Sequence, residues 1–230
     1  MPWNFPFWQV FRFAIPNLII GNGIILKHAS NVQIFAKKIE SCFNKPGFIK
    51  NIFQNLIVPG KDVSEIIISP SFAGATITGS ELAGKSVAKI AGSVMKKSVL
   101  ELGGSDPYIV LDDANLEKSI KCIIGGRIIN TGQSCIGPKR IIVTRNIYDK
   151  FILKLQTKLK IKTQGDPMNQ NDIGPLVSLD ARKKIQEQVK NSINLGAVLI
   201  LGGVIPSGIG SYYPITILDN VKPGMPVFDE

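Results

Sequence analysis

The sequence predicts an α/β fold built on parallel strands, and three observations carry that prediction. Short apolar runs of strand length alternate with longer runs of helical period along the whole chain. The links between them are short, and glycine or Gly-Ser follows several strand runs at the end where open parallel sheets bind ligands. The composition, 44% apolar and 19% charged, belongs to a core-forming chain and not a disordered one.

In order along the chain, residues 7–20 read as a helix, with Pro6 at its first turn where a missing N–H costs nothing, and Pro16 kinks or ends it. Residues 23–27 form a short buried strand with Lys27 at its carboxyl end. Ser30 or Asn31 caps a helix reaching about Cys42. A second strand over 52–58 stops at the turn Pro59-Gly60, and Asp62 caps a short helix. A third strand at 75–78 leads through Gly79-Ser80 into a helix over 81–92, and a fourth strand covers 98–102. Lys27, Gly79-Ser80 and Gly103 all fall at strand ends, which by spacing alone suits a dinucleotide site.

The second half repeats the alternation. A strand at 108–111 precedes a helix over 115–129, then a strand at 140–144 and an amphipathic helix over 147–159. Residues 165–177 are a polar loop, 179–195 a helix closed by Gly196, and 198–201 and 213–218 strands about a glycine-rich loop.

Composition excludes several classes. The net charge of +10 comes from scattered lysines with no aromatic-interleaved basic stripe, so nucleic acid is not the predicted partner. The most apolar run, residues 10–26, is broken by Arg12, Pro16, Asn17 and Asn22, which argues against a membrane span. No signal peptide is visible, and the cytoplasm is the expected location. Cys42, Cys122 and Cys135 follow no metal-ligand spacing, and with His28 as the sole histidine no metal site is predicted.

The chemistry-bearing stretch is Asn130-Thr131-Gly132-Gln133-Ser134-Cys135. A cysteine after a tight Gly-Gln-Ser turn suits a positioned thiol nucleophile, and its competing reading is a buried structural thiol. Glu101, next to Gly103-Gly104, offers a carboxylate, and Asn4 an amide. Taken alone, a strand-end glutamate is a surface charge and Asn4 a helix cap.

In this order, PWNFP, the lysine of ILKHAS, ITGS, LELGGSDP and NTGQSC resemble the aldehyde dehydrogenase superfamily, most closely its succinate-semialdehyde branch. The resemblance implies a Rossmann-type parallel-sheet coenzyme domain over residues 1–103 and an α/β catalytic domain over 104–230, both partial. It implies oxidation of a small aldehyde through a thioester, with NADP or NAD as cofactor. Cys135 would be the nucleophile, Glu101 the base that hydrolyses the thioester, and the Asn4 amide with the Cys135 N–H the oxyanion donors. Trp3, Asn4, Lys27, His28, Ala29, Ser30, Gly79, Ser80 and Leu102 would line the cofactor. Many NAD-preferring relatives carry glutamate where this chain has Ser30, so a 2′-phosphate is admitted here. His28 is read as a packing or backbone contact.

Arg12 matches an arginine that grips the substrate carboxylate in the succinate-semialdehyde branch, with a snorkelling surface arginine as the alternative. A second arginine of that branch, six residues before the cysteine, is Ile129 here, and Arg127 is expected to point elsewhere. The family's E-x-F-G-P segment would follow Phe228-Asp229-Glu230, and strands would precede PWN. A split or decaying gene, or a fragment, is therefore expected, with an inactive or unstable remnant or a nucleotide-binding module as the competing function. Complete relatives form homo-oligomers; the resemblance does not carry that to this chain.

Overall fold

A computed structural model describes residues 1–229 of the chain, and three β-α-β units with parallel strand pairs make up much of it. The chain divides into two compact units, Met1–Gly103 and Gly104–Glu230.

The first unit runs α1 (Trp8–Ile19), β1 (Ile24–Leu26), α2 (Gln33–Phe43), β2 (Phe53–Asn55), α3 (Val63–Ile68), β3 (Gly74–Thr78), α4 (Glu81–Ser93) and β4 (Lys97–Glu101). β1 pairs with β2 and β3 with β4, both parallel, each joined through a crossover helix. Val10 and Ala14, four apart on α1, share one buried face with Ile24 and Leu26 of β1 and Ala36 and Ile39 of α2. Phe43 stacks on Phe53 with ring centroids 4.7 Å apart. Ser80 caps α4, its hydroxyl accepting from the Ala83 N–H at 3.3 Å. A Cβ on Gly84 would lie 2.5 Å from the Leu102 side chain, so glycine lets α4 lie close to the chain leaving β4.

The second unit runs β5 (Pro107–Val110), α5 (Leu116–Ile128), β6 (Arg140–Val143), α6 (Arg145–Lys160), α7 (Leu179–Asn194), β7 (Val198–Leu201), β8 (Ile217–Asp219) and α8 (Pro226–Asp229). β5 and β6 are parallel, and β7 and β8 antiparallel with an irregularity between Leu199 and Leu201. Ile120, Ile123 and Ile124 of α5 meet Phe151, Leu155 and Leu159 of α6 in its core. Asn115 caps α5 and Ser178 caps α7.

Several local expectations are corrected. α1 continues through Pro16, which is tolerated one turn from the helix end on an exposed face. Neither Ser30 nor Asp62 makes a side-chain cap, because a 3-10 turn precedes α2 and another precedes α3. β2 is shorter than predicted. β8 starts at Ile217, with Tyr213 buried instead against Leu176 and Val189. α8 was not anticipated; its Phe228 ring lies 4.4 Å from the Arg140 guanidinium.

The predicted parallel sheet is present as two-stranded pieces among the described residues, leaving Val99, Leu100, Ile109 and Ile142 exposed on their faces. Among those residues no helix is long and apolar enough to cross a membrane, and no group of His, Cys, Asp and Glu could hold a metal ion. Phe53→Ala, removing a fully buried ring, should lower unfolding stability by about 3–5 kcal/mol. A denaturant midpoint equal to wild type would show that Phe53 is not part of the first unit's core.

Candidate active site

Parallel strands bring the carboxyl ends of a pair to one edge, and in the first unit most predicted site residues lie at such edges. Lys27, His28 and Ala29 leave β1, Gly79 and Ser80 leave β3, and Glu101 ends β4 with Leu102 following. Thr78 and Glu101 are register partners, and the Gly79 N–H donates to the Glu101 carbonyl at 3.0 Å, so the pairing runs one residue past the strands.

The segment carrying Trp3 and Asn4 is tied to the chain leaving β1. The Met1 ammonium donates to the Lys27 carbonyl at 2.8 Å, and the Ala29 N–H donates to the Met1 carbonyl at 3.0 Å. His28, fully buried, places Nδ1 3.0 Å from the Met1 carbonyl oxygen and Nε2 3.0 Å from that of Pro6. Its ring thus lies between the two ends of the Trp3-Asn4 segment and bonds one of them. Burial lowers the His28 pKa from 6.5, and the charges of the Met1 ammonium and Lys27 act the same way, while the two carbonyls oppose them. A neutral ring donates to one of these carbonyls at a time.

Arg12 of α1 and Glu101 of β4 form an ion pair, Nη2 to Oε1 2.8 Å, with 42% and 47% of their side chains exposed. Pairs this open contribute about 0–1 kcal/mol. The structure therefore joins the predicted substrate arginine to the predicted base, a contact that sequence spacing did not suggest. Ser30 is exposed and Lys27 half-buried. At the α4 N-terminus, the Glu81 carboxylate is drawn to Lys85 at 2.6 Å.

Cys135 lies in the second unit, half-buried, after a turn of unusual backbone. Asn130, Thr131 and Gly132 have φ of 49°, 57° and 74°, three successive left-handed residues. Asn and Gly adopt this region readily; a β-branched threonine does so at a cost of order 1–3 kcal/mol. Neighbouring donors and acceptors hold it. Arg127, in the last turn of α5, donates from Nη1 to the Gly132 carbonyl at 2.9 Å. The Gly174 N–H donates to Thr131 Oγ1 at 3.1 Å, and the Val177 N–H to Gln133 Oε1 at 2.8 Å.

Arg127 therefore points at the turn that precedes Cys135. Lys139, four residues after Cys135, donates to the Gly104 carbonyl. Burial and the Arg127 charge lower its pKa, whereas Cys135 and Asp106 raise it. Lys139 was missed, being one basic residue among many, and the contact of Arg127 with this turn was not foreseen because helix faces are read by period. A pair of basic residues just after the cysteine, Lys139-Arg140, was the available signal.

Comparison with known proteins supplies the context of this geometry. A model described as "Aldehyde dehydrogenase family" matches residues 1–230. A protein of Mycobacterium avium (strain 104) named succinate-semialdehyde dehydrogenase, NADP(+), is 45% identical over all of this chain and 49% of its own length. One from Escherichia coli (strain K12), named for NAD(P)+, is 42% identical over all of this chain and 50% of its own. The solved succinic semialdehyde dehydrogenase of Streptococcus pyogenes, in complex with NADP+, superposes with a TM-score of 0.95 at 36% identity, covering 100% of this chain and 50% of that one. The chain thus spans about half the length of the curated relatives it matches.

Two outcomes follow from the local chemistry. Arg127→Met leaves the Gly132 carbonyl without its donor. Amide hydrogen exchange across residues 130–137 should then quicken about tenfold or more, and unchanged exchange would remove Arg127 as a support of the turn. The unfolded chain binds a proton at His28 more readily than the folded one, so stability should fall as pH drops below 6.5 towards the depressed folded-state value. Denaturant titrations at pH 7.5 and 5 should show a smaller acid loss in His28→Gln; an equal loss would assign the effect to other groups.

Proposed function

Because the chain belongs to the aldehyde dehydrogenase family, we propose that it oxidises an aldehyde to a carboxylic acid through a thioester on Cys135, with succinate semialdehyde as substrate and NADP, or NAD, as cofactor. The observation that carries this reading is the left-handed turn 130–132, held by Arg127 and delivering Cys135. Backbone strain maintained by surrounding hydrogen bonds is a property of functional sites.

The residues present fit a dinucleotide. α4 opens at the carboxyl end of β3 and directs its first N–H groups outward, where a pyrophosphate suits them. The Glu81 carboxylate in that turn is engaged by Lys85. Lys27, with Ala29 and an exposed, neutral Ser30 beyond it, suits a ribose bearing a 2′-phosphate, and Trp3, His28 and Leu102 complete the proposed binding residues. When bound, the dinucleotide supplies the acceptor for a hydride leaving the aldehyde carbon.

The Cys135 thiolate attacks that carbon, and the carbonyl oxygen becomes an oxyanion bonded to the Asn4 amide and the Cys135 N–H. Loss of hydride leaves a thioester on the sulfur. Glu101 takes a proton from water, whose oxygen attacks the acyl carbon; the C–S bond breaks and the acid leaves. Arg12 receives the substrate's distal carboxylate. Residues 1–103 act as the partial coenzyme domain and 104–230 as the partial catalytic domain. The three cysteines are free thiols, which suits a reducing cytoplasm.

A second reading is a binding chain that does not turn over alone. Apolar residues on open strand faces favour it, Val99 at 55% and Ile109 at 63% exposure. Intact-mass measurement after incubation with succinate semialdehyde and NADP separates the two. Glu101→Gln should accumulate an acyl adduct, with release slowed about 10²–10⁴-fold. Cys135→Ala should show neither adduct nor reduced cofactor. A wild-type chain that binds NADP yet forms neither adduct nor reduced cofactor would support the second reading.

A further inference from the structure

The Arg12–Glu101 pair joins two groups to which the proposed reaction gives different tasks, and their contact with each other competes with both. A carboxylate held on a guanidinium has an oxygen occupied and its orientation fixed, so it is less available to a water molecule. A guanidinium whose Nη2 lies on that carboxylate has one of its donors committed and its charge shared, so its grip on a substrate carboxylate is weakened. The contact is direct, 2.8 Å, and both side chains are close to half exposed, so an incoming anion can reach the arginine. A bridge this open is weak enough for a second carboxylate to compete on even terms. The backbone at both ends is fixed. Arg12 stands on the face of α1 away from buried Val10 and Ala14, and Glu101 is set by its register with Thr78. Only the side chains need to move.

We propose that the substrate's own carboxylate displaces Glu101 from Arg12, so that recognition of an acidic aldehyde frees the base that completes turnover. This rests on the roles given above to Arg12 and Glu101. Its consequence is a specificity expressed after acylation. A neutral aldehyde of the same length can load Cys135, but it leaves Glu101 tied to Arg12, and the acyl group is released slowly. An acidic aldehyde satisfies Arg12 and releases the carboxylate in the same event.

The test uses the whole chain labelled with carboxyl-¹³C glutamate, with NADP present, the Glu101 resonance being identified by its loss in Glu101→Gln. Succinate and butyramide are the probes, one with carboxylates and one without. Succinate should move the Glu101 resonance, saturably, towards the position it holds in ligand-free Arg12→Gln, and butyramide should not. Arg12→Gln should weaken succinate binding roughly ten- to a hundredfold, while Arg12→Lys retains part of it. A Glu101 resonance identical in wild type and Arg12→Gln would overturn the exchange, as would succinate saturation that leaves it unmoved. A kinetic arm separates this failure from that of the parent reading. Butanal and succinate semialdehyde should give the same first-turnover burst, with slower release for butanal, a difference that Arg12→Gln erases. Equal release rates in wild type would overturn the exchange while the thioester reading stood. Absence of any burst would sink the thioester reading, with the resonance still deciding whether a carboxylate displaces Glu101.

Discussion

The in-register parallel pairing of β3 with β4 is the constraint on which the first unit's chemistry depends. Thr78 opposite Glu101 puts the turn into α4 and the strand-end carboxylate on one edge, and the Gly79 N–H to Glu101 carbonyl bond extends that alignment. A slip of one residue would send the Glu101 side chain to the other face, away from Arg12. Arg12 is fixed by a separate periodicity. Val10 and Ala14 are buried at i and i+4 on α1, so residue 12, about 200° round the helix from Val10, faces outward. Two regular repeats, one of strand and one of helix, thus set the positions from which a weak ion pair forms.

The second unit works by a different principle. The turn before Cys135 departs from regular structure, and the departure is held from outside. Three successive left-handed residues are disfavoured for Thr131, yet its hydroxyl accepts from Gly174, Gln133 accepts from Val177, and Arg127 donates to Gly132. Hydrogen bonds to a charged donor contribute about 1.5–3 kcal/mol, the same order as the strain at one threonine. The loop 165–177, read from sequence as a polar connection, is therefore part of what holds the cysteine's approach. Asp172 anchors that loop in turn, accepting from the Thr163 N–H at 2.8 Å and from Lys162 at 2.7 Å.

The alternation of elements was legible because each depends on local patterns: period-two and period-3.6 apolar runs, Ser80 and Asn115 at helix starts, Gly196 past a helix end with φ of 103°. Ser30 and Asp62 misled because a cap residue is equally at home in a 3-10 turn, and the sequence does not show which follows. For the site, the residue types and their place at strand ends were readable, but their partners were not. Arg12 and Glu101 meet across most of the first unit, and His28 reaches back to Met1 and Pro6. The contact of Arg127 with Gly132 was not readable from helical spacing, because a long guanidinium stem crosses to the following turn instead of standing over its own face.

The division of parts between the two units decides how the proposed reaction responds to change. Asn4, Lys27, Glu101 and Arg12 are arranged in one unit and Cys135 in the other, and each arrangement is secured by contacts within its own unit. Local order of this kind supplies competent groups, but rate depends on holding thiol, oxyanion donor and hydride acceptor in one geometry, where misplacement by about 1 Å costs on the order of a hundredfold. Substitutions that loosen either unit internally therefore act on the individual steps, the turn on acylation and the Arg12–Glu101 pair on release. Selective loss of acyl release is consequently the signature of the ion pair.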